Sequence, residues 1–170
     1  ALRSLEEASK LVGTTPEAAR GLESLRYRVY EVTARLVESL GRSGPSGWRV
    51  QVLLTESACR RGWHETLEAV IAGGADAIQV REKELDATAL LERTRLVIEV
   101  ARPAGVPVIV NDRADIAAAA GADGVHLGQD DLPIEHARRV VGSLAIVGGS
   151  VHDLAEAARV VDAGCDYAGL

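Results

Sequence analysis

The chain has 170 residues, 47% of them hydrophobic and 26% charged, with a formal net charge of −6. That length and balance describe a globular chain, one domain with a substantial core or a domain plus a small appendage. The acidic balance argues against a general nucleic-acid binder, no apolar run approaches the ~20 residues that span a bilayer, and Cys59 and Cys165, far apart and outside any CxxC pattern, fit two reduced thiols in a cytoplasmic protein.

Residues 1–40 read as a helical hairpin. Leu2, Leu5, Ala8 and Val12 form one stripe, broken at Gly13. Thr14-Thr15-Pro16-Glu17 is a helix start, with Thr14 as cap, Glu17 closing a capping box and Pro16 in the first turn. Leu22, Leu25, Val29, Val32, Leu36 and Leu40 then recur at threes and fours, an apolar seam on a long helix. Two such helices cannot bury their seams alone, so the hairpin is expected to pack on the following domain or on a partner, a second copy in a homo-oligomer included. It holds no convergent polar cluster and is expected to carry no chemistry. Residues 41–47, GRSGPSG, have the composition of a linker, and the next domain is expected to begin at Trp48.

From there strands and helices alternate. Strands are expected at 50–55, 77–83, 106–112, 124–128, 144–148 and 166–170. Helices are expected between them at 62–72, 87–101, 114–120, 133–141 and 154–163. Gly121 supplies the residue without a Cβ that ends many helices. Strict βα alternation implies parallel strands with right-handed crossovers. Gly74-Ala75-Asp76, Gly121-Ala122-Asp123 and Gly164-Cys165-Asp166 recur before strands two, four and six, a period of two βα units. This favours a (β/α)8 TIM-type barrel over an open doubly wound sheet. Thr55-Glu56-Ser57 after strand one also replaces the glycine-rich dinucleotide fingerprint. A (β/α)8 barrel takes roughly 200 residues or more. With its sixth strand at the end, the sequence is expected to be a truncated barrel, a segment of a longer natural chain.

Parallel strands place their polar ends on one edge, where α/β folds bind ligands. Gln79, Arg81 and Lys83 alternate with Val80 and Glu82, so a strand would put all three on one face. Arg81 as a fork and Lys83 as a point charge suit a diphosphate. The only other lysine is Lys10. The alternative is a solvated charged strand end. Asp112 and Asp131 end neighbouring strands, and two convergent carboxylates with phosphate oxygens and waters suit Mg2+. Their alternative is helix capping, which Asp130 could equally provide. Ser150, after two glycines, can help an anion-binding turn or cap the next helix. His126 and His152 match no zinc spacing, and a structural role is expected for both.

These same residues resemble a known family. QVREK at 79–83, NDR at 111–113, GADGVHLGQ at 121–129 followed by an acid two residues on, and GGSVH at 148–152 are similar, in that order, to thiamine-phosphate synthase. The resemblance covers about residues 50–170. It implies a TIM barrel that couples hydroxymethylpyrimidine diphosphate to thiazole phosphate and releases pyrophosphate. It assigns Mg2+ to Asp112 and, by the offset from Gln129, to Asp131. It gives Arg81 and Lys83 the departing diphosphate, and Gln79, Asn111 and Ser150 substrate contacts. The small-molecule substrates are its only implied partners, with no nucleic acid and no membrane.

The family often has aspartate where Glu56 stands. Its later threonine-rich, lysine-bearing loop and glycine-rich phosphate loops have no counterpart in these 170 residues. What is present is the pyrimidine diphosphate half of such a site. Two other readings stay open: a thiazole tautomerase of the same superfamily, and a non-catalytic regulatory or scaffolding relative.

Overall fold

The computed structural model describes Ala18, Arg20, Gly21, Ser24, Leu25 and residues 45–170, and the chain divides into two units, Ala1–Ser43 and Gly44–Leu170. The hairpin expected at 1–40 lies outside the described residues, apart from those five helical positions. Of the expected linker, Pro45–Gly47 forms a 3-10 turn.

The second unit alternates as expected. Its elements are β1 (Gln51–Leu54), α1 (Trp63–Ala72), β2 (Ala77–Val80), α2 (Ala87–Ala101), β3 (Val108–Asn111), α3 (Ala114–Ala120), β4 (Gly124–Leu127), α4 (Ile134–Val141), β5 (Ile146–Ser150), α5 (Leu154–Asp162) and β6 (Tyr167–Gly169). The six strands pair in sequence order, every pair parallel. A doubly wound sheet reverses direction at a switch point. This sheet never does, so it curls one way as the wall of a half-barrel.

The two faces of the sheet differ in chemistry. Ile78, Val80, Val108, Val110, Val125, Leu127 and Val147 face the helices, each at most 2% exposed. They pack with Leu67 of α1, with Leu90, Val97 and Ile98 of α2, and with Ile116 of α3. The buried positions of α2 fall at Leu90, Thr94, Val97, Ile98 and Ala101, the stripe that a 3.6-residue period lays on one side. Asp86 caps that helix by accepting from the Ala89 amide at 2.9 Å, a contact worth about 1 kcal/mol. The concave face instead carries Gln51, Gln79, Asn111, His126, Ser150 and Tyr167. Burying apolar side chains outward leaves the polar ones to line the interior.

The glycine–aspartate repeat is a backbone latch at the start of the strands. The Asp76, Asp123 and Asp166 amides donate to the carbonyls of Val50, Val108 and Val147. The amides of those three valines donate back to the aspartate carboxylates at 2.8–2.9 Å. Each even strand is thereby tied to the odd strand before it, which gives the two-unit period a physical cause.

Two strand boundaries correct the sequence reading. β2 ends at Val80, so Gln79 is in the strand, while Arg81 and Lys83 lie on the turn beyond it. β5 runs two residues later than expected, with Gly148 and Gly149 inside it and Leu144 exposed before it. A Cβ on Gly148 would stand 2.3 Å from the Tyr167 ring and 2.6 Å from His126 Nδ1. Gly148 is a seat for those two rings. Ser150 is therefore the last residue of the strand.

Candidate active site

Asp112 follows β3 and adopts φ 64°, the one described residue other than glycine in the left-handed region. A three-residue turn holds it there: the Arg113 amide donates to the Asn111 carbonyl at 2.8 Å, and the Asp112 amide donates to the His126 carbonyl at 2.7 Å. A conformation of this kind costs about 1–3 kcal/mol and persists where surrounding contacts impose it. On the next strand's loop, Asp131 accepts from the Gly128 amide at 2.6 Å. Neither carboxylate caps a helix. The N-caps of α3 and α4 are Arg113 and Pro133, and neither makes a side-chain capping bond.

The carboxyl groups of Asp112 and Asp131 meet within hydrogen-bonding reach. Burial, and then the Asp131 hydrogen bond and charge, push the Asp112 pKa up to about 6, against the opposing pull of Lys83 and Arg81. Two half-buried carboxylates side by side, one of them raised by the other's charge, form a place where a cation is favoured. The donor set is hard oxygen, and two carboxylates are what a protein commonly supplies to Mg2+, with waters and phosphate oxygens completing the shell. Among the described residues no group of three or more His, Cys, Asp or Glu side chains converges as a closed protein-only site.

Beside this pair, a cavity of about 290 Å³ opens on the concave face, with Gln79, Arg81, Asn111, His126, Ser150 and Tyr167 among its lining. Arg81 lines it directly, while Lys83 is exposed on the turn, close enough for its charge to act on Asp112. Gln79 is 4% exposed and donates to Asn111 Oδ1 at 2.6 Å. Ser150 does not cap the following helix; Asp153 does, accepting from the Glu156 amide at 2.7 Å. Ser150 Oγ instead lies 2.9 Å from His126 Nε2. His126 is 9% exposed, and burial lowers its pKa. His152 is exposed and paired with Glu156 at 2.9 Å. Both histidines are held by neighbouring side chains, and both line the cavity.

Three contributors escaped sequence reasoning. Gln51 and Tyr167 meet at 3.1 Å across the concave face, from the first strand to the sixth. Arg93 of α2 reaches under the β2 turn to Glu82 at 3.0 Å and to Glu56 at 2.8 Å, with its guanidinium 4.3 Å from the centre of the Trp63 ring. Glu82 points away from the site into this grip, between the two cations Arg81 and Lys83. Glu56 is thus occupied beneath the wall. The one visible signal for Arg93 is its place beside the buried Leu90–Thr94–Val97 stripe of α2.

These features sit on a chain with documented relatives. The family model described as thiamine monophosphate synthase matches residues 50–170. A thiamine-phosphate synthase from Gloeobacter violaceus is 40% identical over 172 aligned residues, covering 100% of this chain and 48% of the relative. One from Chloroflexus aurantiacus is 44% identical over 124 residues, 72% of this chain and 57% of the relative. Among solved structures, a thiamine phosphate pyrophosphorylase from Pyrococcus furiosus superimposes with a TM-score of 0.65 at 33% identity, covering 71% of this chain and 58% of that one. The chain spans about half the length of the curated relatives it matches. With the parallel half-barrel and its polar strand ends on the same 121 residues that the model matches, the chain belongs to the thiamine monophosphate synthase family.

Proposed function

We propose that this protein acts as a thiamine-phosphate synthase, and that the residues here form the side of the site that holds the pyrimidine diphosphate. The observation that carries the reading is the meeting of Asp112 and Asp131 at the strand ends, within the field of Arg81 and Lys83. Asp112 and Asp131 would hold Mg2+, and the bound ion would supply positive charge to the diphosphate oxygens. Arg81 and Lys83 would grip the same diphosphate and stabilise the charge that grows on it as it departs as pyrophosphate. Asn111 and Ser150, in the cavity wall, would orient the pyrimidine, with Gln79 fixing Asn111. Loss of the diphosphate leaves a pyrimidine cation that the thiazole nitrogen captures, so no side-chain nucleophile is needed. This fits a site whose histidines are both engaged by neighbours.

Among the described residues no helix is long and apolar enough to cross a membrane. A cytoplasmic small-molecule enzyme is the setting we infer, with residues 1–40 as a packing or homo-oligomerisation element.

The test is titration of pyrophosphate into the protein with and without Mg2+, together with release of pyrophosphate from the pyrimidine diphosphate when thiazole phosphate is added. Mg2+-dependent binding and release support the proposal. Proton exchange on a thiazole carboxylate without any metal requirement would replace it with the tautomerase reading.

A further inference from the structure

Six polar side chains form one continuous line along the concave wall. From one end they run Asn111, Gln79, Gln51, Tyr167, His126 and Ser150, and every link is a hydrogen bond of 2.6–3.1 Å. The arrangement gives each link a direction. Gln51 Nε2 lies 2.8 Å from Gln79 Oε1 and 3.1 Å from the Tyr167 hydroxyl, so both of its hydrogens are spent. Tyr167 accepts from Gln51 and has one proton left, which goes to His126 Nδ1 at 3.0 Å. A neutral imidazole that accepts at Nδ1 carries its hydrogen on Nε2, and Nε2 donates to Ser150 Oγ. The Ser150 proton is then free. On the other arm, Gln79 Nε2 donates to Asn111 Oδ1, which leaves the Asn111 amide nitrogen free. Both ends of the line therefore offer donors to the cavity that they line.

The line has one other self-consistent state. If Gln51 turned its oxygen inward, Gln79 and Asn111 would have to turn with it. Tyr167 would then donate to Gln51 and accept from His126 Nδ1, and Ser150 would donate to Nε2. Both ends would present acceptors. Mixed states place two oxygens or two hydrogens face to face in a part-buried line, which leaves polar groups unsatisfied.

We propose that Tyr167 is a positioning residue that couples the tautomer of His126 to the amide orientation of Asn111, so that the two sides of the cavity offer donors together or acceptors together. Tyr167 suits the task because its hydroxyl can accept from one neighbour while it donates to the other. Burial pushes its pKa up to about 12, so it keeps the proton that this requires. Burial also lowers the His126 pKa, which favours the neutral ring. The consequence for recognition is that a ligand is read at Asn111 and at Ser150 as a matched pair: a ring with an acceptor facing both residues is favoured over one that mixes a donor with an acceptor. The proposal concerns the same cavity as the proposed function but does not need the reaction.

The experiment is measurement of the ring-nitrogen chemical shifts of His126 by NMR in the ligand-free protein, at a pH high enough that no imidazolium remains. The wild-type ring is expected to carry its hydrogen predominantly on Nε2. Gln51→Glu removes two hydrogens without changing shape. The carboxylate it introduces can only accept, so it takes the Tyr167 proton, and the His126 hydrogen should move predominantly to Nδ1. Gln79→Glu adds the same charge one strand away but still requires Gln51 to donate, so Nε2 should stay protonated. In a Tyr167→Phe background, Gln51→Glu should leave the tautomer where that background sets it.

An Nδ1-protonated wild type, an unchanged tautomer in Gln51→Glu, the same switch in Gln79→Glu, or a switch that survives Tyr167→Phe would each overturn the coupling. The wild-type and Gln79→Glu readings stand even if Gln51→Glu does not fold. No substrate or metal is involved, so failure here leaves the synthase reading standing, and failure of the pyrophosphate titration leaves this one standing.

Discussion

Glu82 and Arg93 meet at 3.0 Å beneath the turn that presents Arg81 and Lys83, with side chains only 8% and 12% exposed. The acid that separates the two cations in sequence points the opposite way in space and is clamped there. Arg93 also joins Glu56, the exposed acid of the preceding strand's loop, and Glu82 accepts from the Glu56 amide at 2.8 Å. Two site loops thus share one guanidinium. Arg93→Ala would leave Glu82 buried without its partner, a loss of about 3 kcal/mol. It should weaken pyrophosphate binding as well, because the turn is no longer pinned. Arg93→Lys should recover part of the stability but not the binding, since an ammonium cannot fork to two carboxylates and stack on Trp63. Urea unfolding and pyrophosphate titration on the same two variants separate these effects.

The aspartate latches make a second prediction. Asp166→Ala removes the carboxylate that accepts from the Val147 amide and pairs with Arg138 at 2.7 Å, and should cost about 2 kcal/mol. Asp123→Ala and Asp76→Ala should destabilise in the same direction. At Asp76 the amides of Arg49 and Val50 hold the carboxyl below its ordinary 3.8. A lowered folded-state pKa means that the latch contributes above that value and is lost as pH falls through the depressed one. The gap in urea midpoint between wild type and Asp76→Ala should therefore be constant near neutrality and close in acid. A gap independent of pH would show that the carboxylate charge is not what the latch uses.

Gly148→Ala tests the seat under the two rings. Its Cβ would meet the Tyr167 ring at 2.3 Å and His126 Nδ1 at 2.6 Å, so the rings must shift or the strands part. Overpacking of this kind costs about 1–3 kcal/mol. The same methyl should disturb the Tyr167–His126 hydrogen bond, visible as a change in the His126 ring shifts. Gly47→Ala, with nothing within 4 Å of its Cβ, is the control.

The fold was legible where one physical cause set one local pattern. Alternating βα units, the two-unit Gly-x-Asp period and the left-handed stop at Gly121 each have a short-range signature, and each appears in the structure. The pairing of Asp112 with Asp131 was legible for the same reason, since both close parallel strands that neighbour each other. Contacts across the barrel left no such trace. Gln51 and Tyr167 are 116 residues apart, and neither sits in a motif that names the other. The bounds of β5 were two residues early because a glycine pair gives no strand signal until the rings that need the missing Cβ of Gly148 are in place. Arg93 drew no reading because nothing in its helix reveals the two acids on other elements. Apart from five helical positions, the hairpin expected at 1–40 lies outside the described residues.

The sharpest prediction returns to Asp112 and Asp131. If they share one Mg2+, either single change to Asn removes a charged ligand and weakens metal and pyrophosphate together. Loss of a mere neighbour of a metal ligand costs 10–100-fold in affinity, so loss of a ligand should cost on the order of tenfold or more. The backbone should tolerate Asp112→Asn, since Asn is among the few residues at home in the left-handed region that Asp112 occupies at φ 64°. Asp131→Asn can still accept from the Gly128 amide through its Oδ1, so the loop keeps its anchor. Asp130, exposed and one residue away, is the internal control. The two losses should not add: once either carboxylate is gone the common site is broken, and Asp112→Asn/Asp131→Asn should be little worse than the weaker single variant. Without metal the order of stability should reverse. At neutral pH the wild-type Asp112 is ionised against its burial and the Asp131 charge, and either Asn removes that opposition, so both single variants should unfold at higher urea than the metal-free wild type. Calorimetric titration of Mg2+ and pyrophosphate, and urea unfolding with and without Mg2+, measure both halves. Wild-type affinity in the two single variants, or additive losses in the double one, would separate the carboxylates and end the shared-metal model.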